Sequence, residues 1–522
     1  MFRHLVDIEA RYLSLLKACL PLVLLTSLFS CTADDERPEF PDLPDLQTPT
    51  QEPVEKTTAT RPTKSFSIAL VGEVRGEIEP CGCPTLPYGG FSRRASLLNE
   101  LRRSHTLFHL DAGESLLKGF YSNKGDQATA RAKTIGRLSK EVGVDAWALG
   151  PTDLMAFGLE GLKQIDGPVR VSATWIDAQG EWIFDPFAVI TKDDIRLAVI
   201  GLSEEPTDPK WQESIVMKDP LEAINAVLPL LPDEVDLIVA LGSIDDEKAV
   251  RISRANPDIS MLLTTKGAHY ENPYYPNDNK KHPLLIEAPD RGRYVHLLHL
   301  RLNGPRTQPP IQGLKEQEWR DHLLLSTQGS TPKKERLLKR LTQLGTNQNL
   351  FFGELIPLNE SYDEQSAVSD IVDVFKQESL QQAERKAQDS PSDSEPGYDS
   401  AGQCVQCHSN EMAKWSLTQH AKAWESLLLR GEQNNPECIA CHSTGFGEVG
   451  GFGELTTVNI RKYKSVQCES CHGPMRGHPD DKSILPRPIT EQTCLPCHDE
   501  ANSPQFEYVT YLNKSTCQSQ KQ

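Results

Sequence analysis

Near its C-terminal end the 522-residue chain repeats one five-residue arrangement four times: Cys404-Val-Gln-Cys407-His408, Cys438-Ile-Ala-Cys441-His442, Cys468-Glu-Ser-Cys471-His472 and Cys494-Leu-Pro-Cys497-His498. One short turn can place two such thiols and the following imidazole together. That combination suits covalent haem attachment, in which the sulfurs become thioethers to the two vinyl groups and the His ligates the iron. Zinc ribbons also use paired Cys-x-x-Cys, but zinc does not require a His after every second Cys, and the same His argues against simple disulfides. The expectation is four c-type haems, attached through Cys404, Cys407, Cys438, Cys441, Cys468, Cys471, Cys494 and Cys497, with His408, His442, His472 and His498 as proximal iron ligands. The motifs follow one another too closely for an apolar core around each, so the haems themselves would form the core and lie within tunnelling contact.

The sixth ligands are fewer. Beyond the proximal four, this region contains only His420, in Trp415-Ser-Leu-Thr-Gln-His-Ala-Lys-Ala-Trp424, and His478. Both are candidate distal ligands, and both are also compatible with a solvated surface His. Two spare imidazoles cannot serve four irons. Met412, Met475 or a His from the α/β domain could complete the others, or an iron could stay five-coordinate and open to a small ligand.

The elements that would carry this region come before it. From residue 66, short apolar, β-branched runs alternate with amphipathic helical stretches. The runs fall at 66–71, 107–110, 145–149, 169–173, 195–200, 235–241, 259–263, 283–288 and 294–302, and the helices at 94–103, 128–142, 221–230 and 247–256. Alternation over this length predicts an α/β domain with buried strands. Residues 312–385 read as mostly helical, notably 334–344 and 367–385. The polar stretch from Asp389 to Gly397 reads as a linker.

The N-terminus reads as an export signal: an apolar stretch over 13–29, interrupted by Lys17 and Pro21 and too short to span a membrane confidently. It ends Leu28-Phe29-Ser30-Cys31, like a lipoprotein cleavage box, which makes Cys31 the candidate lipidation site. The alternative is a plain signal peptide with an incidental Cys. Proline-rich, acidic residues follow as a disordered tether. The organisation expected is thus a signal peptide (1–31), tether (32–64), α/β domain (65–305), helical connector (306–386), linker (387–400), tetrahaem domain (401–505) and tail (506–522). The formal net charge of −18 excludes nucleic acid as a plausible partner. Of 13 Cys, eight lie in the motifs and Cys19 and Cys31 in the leader. Cys81, Cys83 and Cys517 remain, an odd number that implies no complete disulfide framework.

The C-terminal residues resemble the tetrahaem cytochrome c-554 family. The resemblance covers 397–498: Tyr398 and Gly402, the His-Ala-x-Ala-Trp stretch, Cys-His-Ser-Thr-Gly, and Cys-Glu-Ser-Cys-His-Gly-Pro with a following His. It implies electron transfer among stacked haems, mostly with two His ligands and in some members one open iron.

Residues 66–302 resemble the metallophosphoesterase domain of periplasmic 5′-nucleotidases, through Gly-Gly-Phe-Ser-Arg-Arg-Ala (89–95), Leu-Asp-Ala-Gly-Glu (110–114), Asp-Ala-Trp-Ala-Leu-Gly (145–150), Phe-Asp-Pro-Phe-Ala (184–188), Leu-Ala-Val-Ile-Gly-Leu (197–202) and Asp-Leu-Ile-Val-Ala-Leu (236–241). That family implies a two-sheet α/β sandwich with a two-metal site at the strand ends. Such a site needs carboxylates and imidazoles to hold two divalent ions and activate a bridging water. Here the matching positions are Glu73-Val74-Arg75, Gly113-Glu114, Gly150-Pro151-Thr152, Ser243 and Lys266-Gly267-Ala268-His269. Two acids and one His do not make the usual dinuclear site, so a scaffold without phosphoesterase activity is expected. In the loop after the first strand, Cys81 and Cys83 could bind a metal or soft ligand or act in redox chemistry, or could be inert thiols in a rigid Pro/Gly loop.

The function expected is an exported, lipid-anchored tetrahaem electron carrier with transient redox protein partners. The alternatives are a haem reductase of a small nitrogen or oxygen species, and a residual metal-dependent phosphoesterase.

Overall fold

The structure, a computed structural model, describes residues 63–80, 87–117, 126–207, 215–265, 283–302, 311–313, 349–389, 396–499, 502–503 and 505–515. Cys31 and the leader, nearly all of the tether, Cys81, Cys83, His269, the helix expected over 334–344 and Cys517 fall outside these residues.

In chain order come β1 (Lys64–Val71), α1 (Phe91–Arg102), β2 (Leu107–Asp111), α2 (Asp126–Glu141), β3 (Ala146–Ala148), α3 (Pro151–Gln164), β4 (Arg170–Val171), β5 (Trp175–Ile176), β6 (Phe187–Lys192), β7 (Ile195–Ser203), β8 (Val216–Met217), α4 (Pro220–Val227), β9 (Leu237–Ser243), α5 (Asp246–Ala255), β10 (Met261–Thr264), β11 (Leu284–Glu287), β12 (Tyr294–Leu302), β13 (Ile311–Gly313), β14 (Asn349–Pro357) and α6 (Ser366–Ala387). Every apolar run expected as a strand overlaps one. Two mixed sheets result, ordered β13-β14-β12-β1-β2-β3-β4 and β11-β10-β9-β7-β6, with β5 and β8 as a separate pair. In the first sheet β1, β2, β3 and β4 run parallel while β12 pairs antiparallel with β1.

The residue pattern of β1 shows why the sheets stack. Phe66, Ile68 and Leu70 point into the space between sheets, against Val199, Val239, Leu241 and Leu263. Ala69 and Val71 point the other way, into a layer with Leu98, Ile135 and Leu138 of α1 and α2. A strand buried on both faces reads as a nearly continuous apolar run, as this one does. On the far side of the second sheet, Ile200, Ala240 and Leu262 meet Ile224, Val227 and Ile252 of α4 and α5. The body is therefore a four-layer α/β/β/α sandwich.

The body does not stop near residue 305. The segment expected to be a helical connector supplies β14, which pairs antiparallel with β12 from Tyr294↔Pro357 to Arg301↔Leu350. Without it, β12 would present a long unpaired edge. The helix expected over 367–385 forms as α6, but it is no spacer. Val368, Val372 and Phe375 join the core beneath α1 and α2, each burial contributing ~1.5–3 kcal/mol. Farther along, Leu380 packs on the C-terminal module, and Ala383 and Ala387 lie against Gly447 and Gly453. One helix thus belongs to both cores.

The C-terminal module is a chain of short helices, among them Ala401–Cys404, Ser409–Trp415, Ala423–Leu428, Pro436–His442, Thr457–Tyr463, Cys468–His472, Glu491–Cys494 and Tyr508–Ser515. Between the helices Ser409–Trp415 and Ala423–Leu428, His420–Lys422 form a short 3-10 turn. The module's cluster of buried side chains comprises Trp424, Leu427, Ile439, Phe452 and Tyr463. No described helix is long and apolar enough to cross a membrane.

Candidate haem centres

Each motif sits on one helical turn. His408 N–H donates to Cys404 O and His498 N–H to Cys494 O, both at 2.9 Å, so the two thiols and the imidazole share one helix face. The turns start from side-chain caps where the sequence provides them. Ser400 accepts from Gly402 N at 3.1 Å, and Asn435 accepts from Glu437 N at 3.1 Å, each satisfying a helix-start donor.

The motifs converge in space. Cys404 of the first hydrogen-bonds with Cys468 of the third, and that contact lowers its thiol to about 7. His472 is held below the ordinary imidazole value by burial and by His408 nearby. Cys497 of the fourth motif is pushed well up by its contact with Cys441, by burial and by the Cys441 and Cys471 charges. Cys441 Sγ also lies 3.8 Å from Pro496 O. The motifs therefore neighbour one another in the order first, third, fourth, second.

The donor set fits haem. Each motif offers two cysteine sulfurs and one imidazole. His442 Nδ1 lies 2.8 Å from the Ala423 carbonyl, which only an N–H can satisfy, so Nε2 is left bare for a metal. His478 Nδ1 faces the Ile484 carbonyl at 3.3 Å with the same consequence. His498 Nδ1 is 2.8 Å from Ser503 Oγ. The His498 ring stacks on Phe506 with centroids 5.4 Å apart and meets Tyr511 edge-on at 5.2 Å. These aromatics lie where a tail was expected from residue 506, so the packing around His498 extends beyond that boundary. Their spacing after the last motif was the available signal. The two distal candidates separate: His420 lies beside His498, with ring centroids 6.0 Å apart, while His478 is exposed near Ile484. Met412 and Met475 are half-buried.

At the strand ends of the body, the positions matching a two-metal site take another form. Glu73, Arg75, Glu114 and Arg291 have φ of 45°, 49°, 57° and 53°, a left-handed conformation that non-glycine residues seldom adopt. Backbone hydrogen bonds lock the crossing: Glu73 N to Gly113 O at 2.7 Å, Arg75 N to Glu114 O at 3.2 Å and Arg291 N to Glu73 O at 2.6 Å. Arg75 pairs with Glu73 at 2.6 Å, placing a guanidinium on one of the two acids. Glu114 accepts from the Thr152 amide at 3.2 Å and from its hydroxyl. Ser243 is fully buried, and its hydroxyl has no hydrogen-bond partner among the described residues. Among the described residues no three His, Cys, Asp or Glu side chains converge to hold a metal ion.

Beneath this crossing Asp111 accepts from Gly113 N at 2.9 Å and Ser115 Oγ at 2.8 Å. Burial pushes its carboxyl up to about 6. Burial, with Asp111 alongside, also raises Asp153. Arg94 is buried near Asp111, and burial lowers it to about 10.

Comparison with known proteins divides the chain in the same way. The family model described as cytochrome c554 and c-prime matches residues 403–473. Cytochrome c-554 of Nitrosomonas europaea is 32% identical over 101 residues, 16% of this chain and 41% of that protein. Protein UshA of Salmonella pullorum is 24% identical over 228 residues, 39% of this chain and 41% of that protein. The chain thus spans 41% of the length of each of these curated relatives. A 5′-nucleotidase precursor from Thermus thermophilus superposes with a TM-score of 0.45 at 16% identity, covering 70% of this chain and 68% of that one. Residues 403–473 thus match the cytochrome c554 and c-prime family model, and the α/β body that precedes them is similar to UshA.

Proposed function

We propose that the protein is an exported tetrahaem c-type cytochrome that relays electrons between transient redox protein partners, with the α/β body acting as scaffold rather than as a phosphoesterase. The observation that carries this reading is the convergence of four Cys-x-x-Cys-His turns in one module, with Cys404 against Cys468 and Cys441 against Cys497. Haem iron, when bound, supplies reversible one-electron chemistry. The chain's residues do the holding: eight thiols anchor, four motif imidazoles ligate, and the Ala423 carbonyl and Ser503 hydroxyl orient His442 and His498. His420 is the sixth-ligand candidate for the fourth centre, and His478 remains a candidate for another. The scaffold role of the body rests on the Arg75–Glu73 pair, which sets a positive charge where a metal would need carboxylates. Cys31 as lipid attachment site fits an exported carrier held at a membrane surface.

A pyridine haemochrome assay combined with the intact mass tests the reading. Four haems per chain are expected, each adding one haem mass; a haem-free mass would overturn it. One observation favours a second reading, a haem reductase of a small nitrogen or oxygen species: the module has two spare imidazoles for four irons. Electron paramagnetic resonance showing only six-coordinate, low-spin iron would exclude that reading.

A further inference from the structure

One ion pair crosses from the α/β body into the haem module. Arg131, on α2, meets Glu437 with nitrogen and oxygen 2.5 Å apart, and the two side chains are 7% and 12% exposed. Glu437 immediately precedes Cys438 and lies in the first turn of the helix Pro436–His442, which carries the second motif. Arg131 Nε and Nη1 are buried with no hydrogen-bond acceptor among the described residues, and the guanidinium carbon lies 5.9 Å from the Phe375 ring centroid. The same seam holds a second set of charges. Glu79 bonds Lys376 of α6 at 2.5 Å and Asn435 Nδ2 at 3.1 Å, and Asn435 caps that same helix.

A buried ion pair is a poor stabiliser, because desolvating both charges offsets most of their attraction. Apolar side chains would join the two cores more cheaply, as Phe375 and Leu380 do on α6. What burial does provide is weak screening, so either charge left without its partner would exert a strong local field. Glu437 and His442 are five positions apart on the helix, a rise of about 7.5 Å, so such a field would reach the second centre.

We propose that Arg131 of the α/β body is a positioning residue that holds up the reduction potential of the second haem by neutralising Glu437. The body is then the element that tunes one end of the first–third–fourth–second series. The proposal rests on the reading of Cys438 and Cys441 as haem-attaching. Reduction adds one electron to the ferric iron and lowers its positive charge. A carboxylate left alone therefore favours the oxidised state, and a guanidinium left alone favours the reduced state.

Spectroelectrochemical titration of the full-length holoprotein tests this with Arg131→Gln, Glu437→Gln and the double variant. One of the four midpoint potentials is expected to fall in R131Q and rise in E437Q. Each shift should change that haem's reduced-to-oxidised ratio about tenfold, or ~59 mV for a one-electron couple. The double variant should return close to the wild-type value, and Arg131→Lys should retain it. Unchanged potentials in both single variants, or shifts of the same sign in both, would overturn the proposal, the latter indicating loosened packing alone. If R131Q does not fold, E437Q decides by the same criterion, since it keeps the side-chain shape. Haem content is counted in parallel: fewer than four haems in the wild-type protein defeats the tetrahaem reading, whereas four haems with insensitive potentials defeat only this inference.

Discussion

The imidazoles of His420 and His498 lie with ring centroids 6.0 Å apart and planes inclined at 45°. Two imidazoles holding one metal ion at about 2.0 Å each would stand about this far apart. His498 closes the last motif, and His420 precedes the helix Ala423–Leu428. Burial and the neighbouring His498 both hold His420 below the ordinary imidazole value, which keeps its nitrogen available as a ligand.

His420→Ala is therefore expected to convert one haem from low-spin to high-spin while the haem count stays at four. Electron paramagnetic resonance and resonance Raman spectra of the oxidised protein read this directly. An unchanged low-spin population would remove His420 from the ligand set.

Truncating Phe375 should weaken both modules together. Its ring is buried in the body's core and underlies Arg131 on the helix that continues into the haem module. Phe375→Ala is expected to cost about 3–5 kcal/mol. Thermal melts followed by far-ultraviolet dichroism and by the Soret band should shift downward in step. A Soret transition left in place while the dichroism shifts would mean that α6 does not couple the cores.

Stability should fall as pH rises from about 4 to about 6, through the pair Asp111 and Asp153. Burial raises both above the ordinary carboxylate value, Asp111 to about 6. In that window the folded chain holds protons that the unfolded chain has released, so raising the pH favours unfolding. Below the unfolded value, near pH 4, the two states are equally protonated and the effect vanishes. Asp153→Asn removes one of the two carboxyls, and its melting temperature should decline less steeply over this range. An identical slope would show that other groups govern the acid behaviour.

Adding Mn²⁺ should produce neither phosphodiester nor nucleotide hydrolysis and no rise in melting temperature. Thr152 stands at a position where the two-metal chemistry would need an imidazole, and Arg75 is already paired with Glu73. Metal-dependent turnover that tracks the protein through purification and disappears on Glu114→Ala would refute the scaffold reading.

Much of this was legible in the residues themselves. Four Cys-x-x-Cys-His repeats declare their chemistry because the ligands of one site are contiguous and need only a single helical turn. The apolar runs of the body were equally legible, since strands buried on two faces have a distinctive composition. The replaced positions Glu73, Arg75, Thr152 and Ser243 could likewise be read one by one.

Relations between distant segments could not be read in this way. Nothing in the sequence 349–357 says that its partner is β12, because a strand's neighbour is set by an open edge elsewhere in the chain. Nor does local sequence reveal that His420 faces His498, that Phe506 stacks on it, or that Arg131 meets Glu437 from another module. Each of those contacts depends on how α6 and the short helices pack, and packing is a property of the whole chain. The sequence by itself determined which ligand-type groups the chain carries; tertiary structure decided which of them stand opposite one another and which charges lie buried beside them.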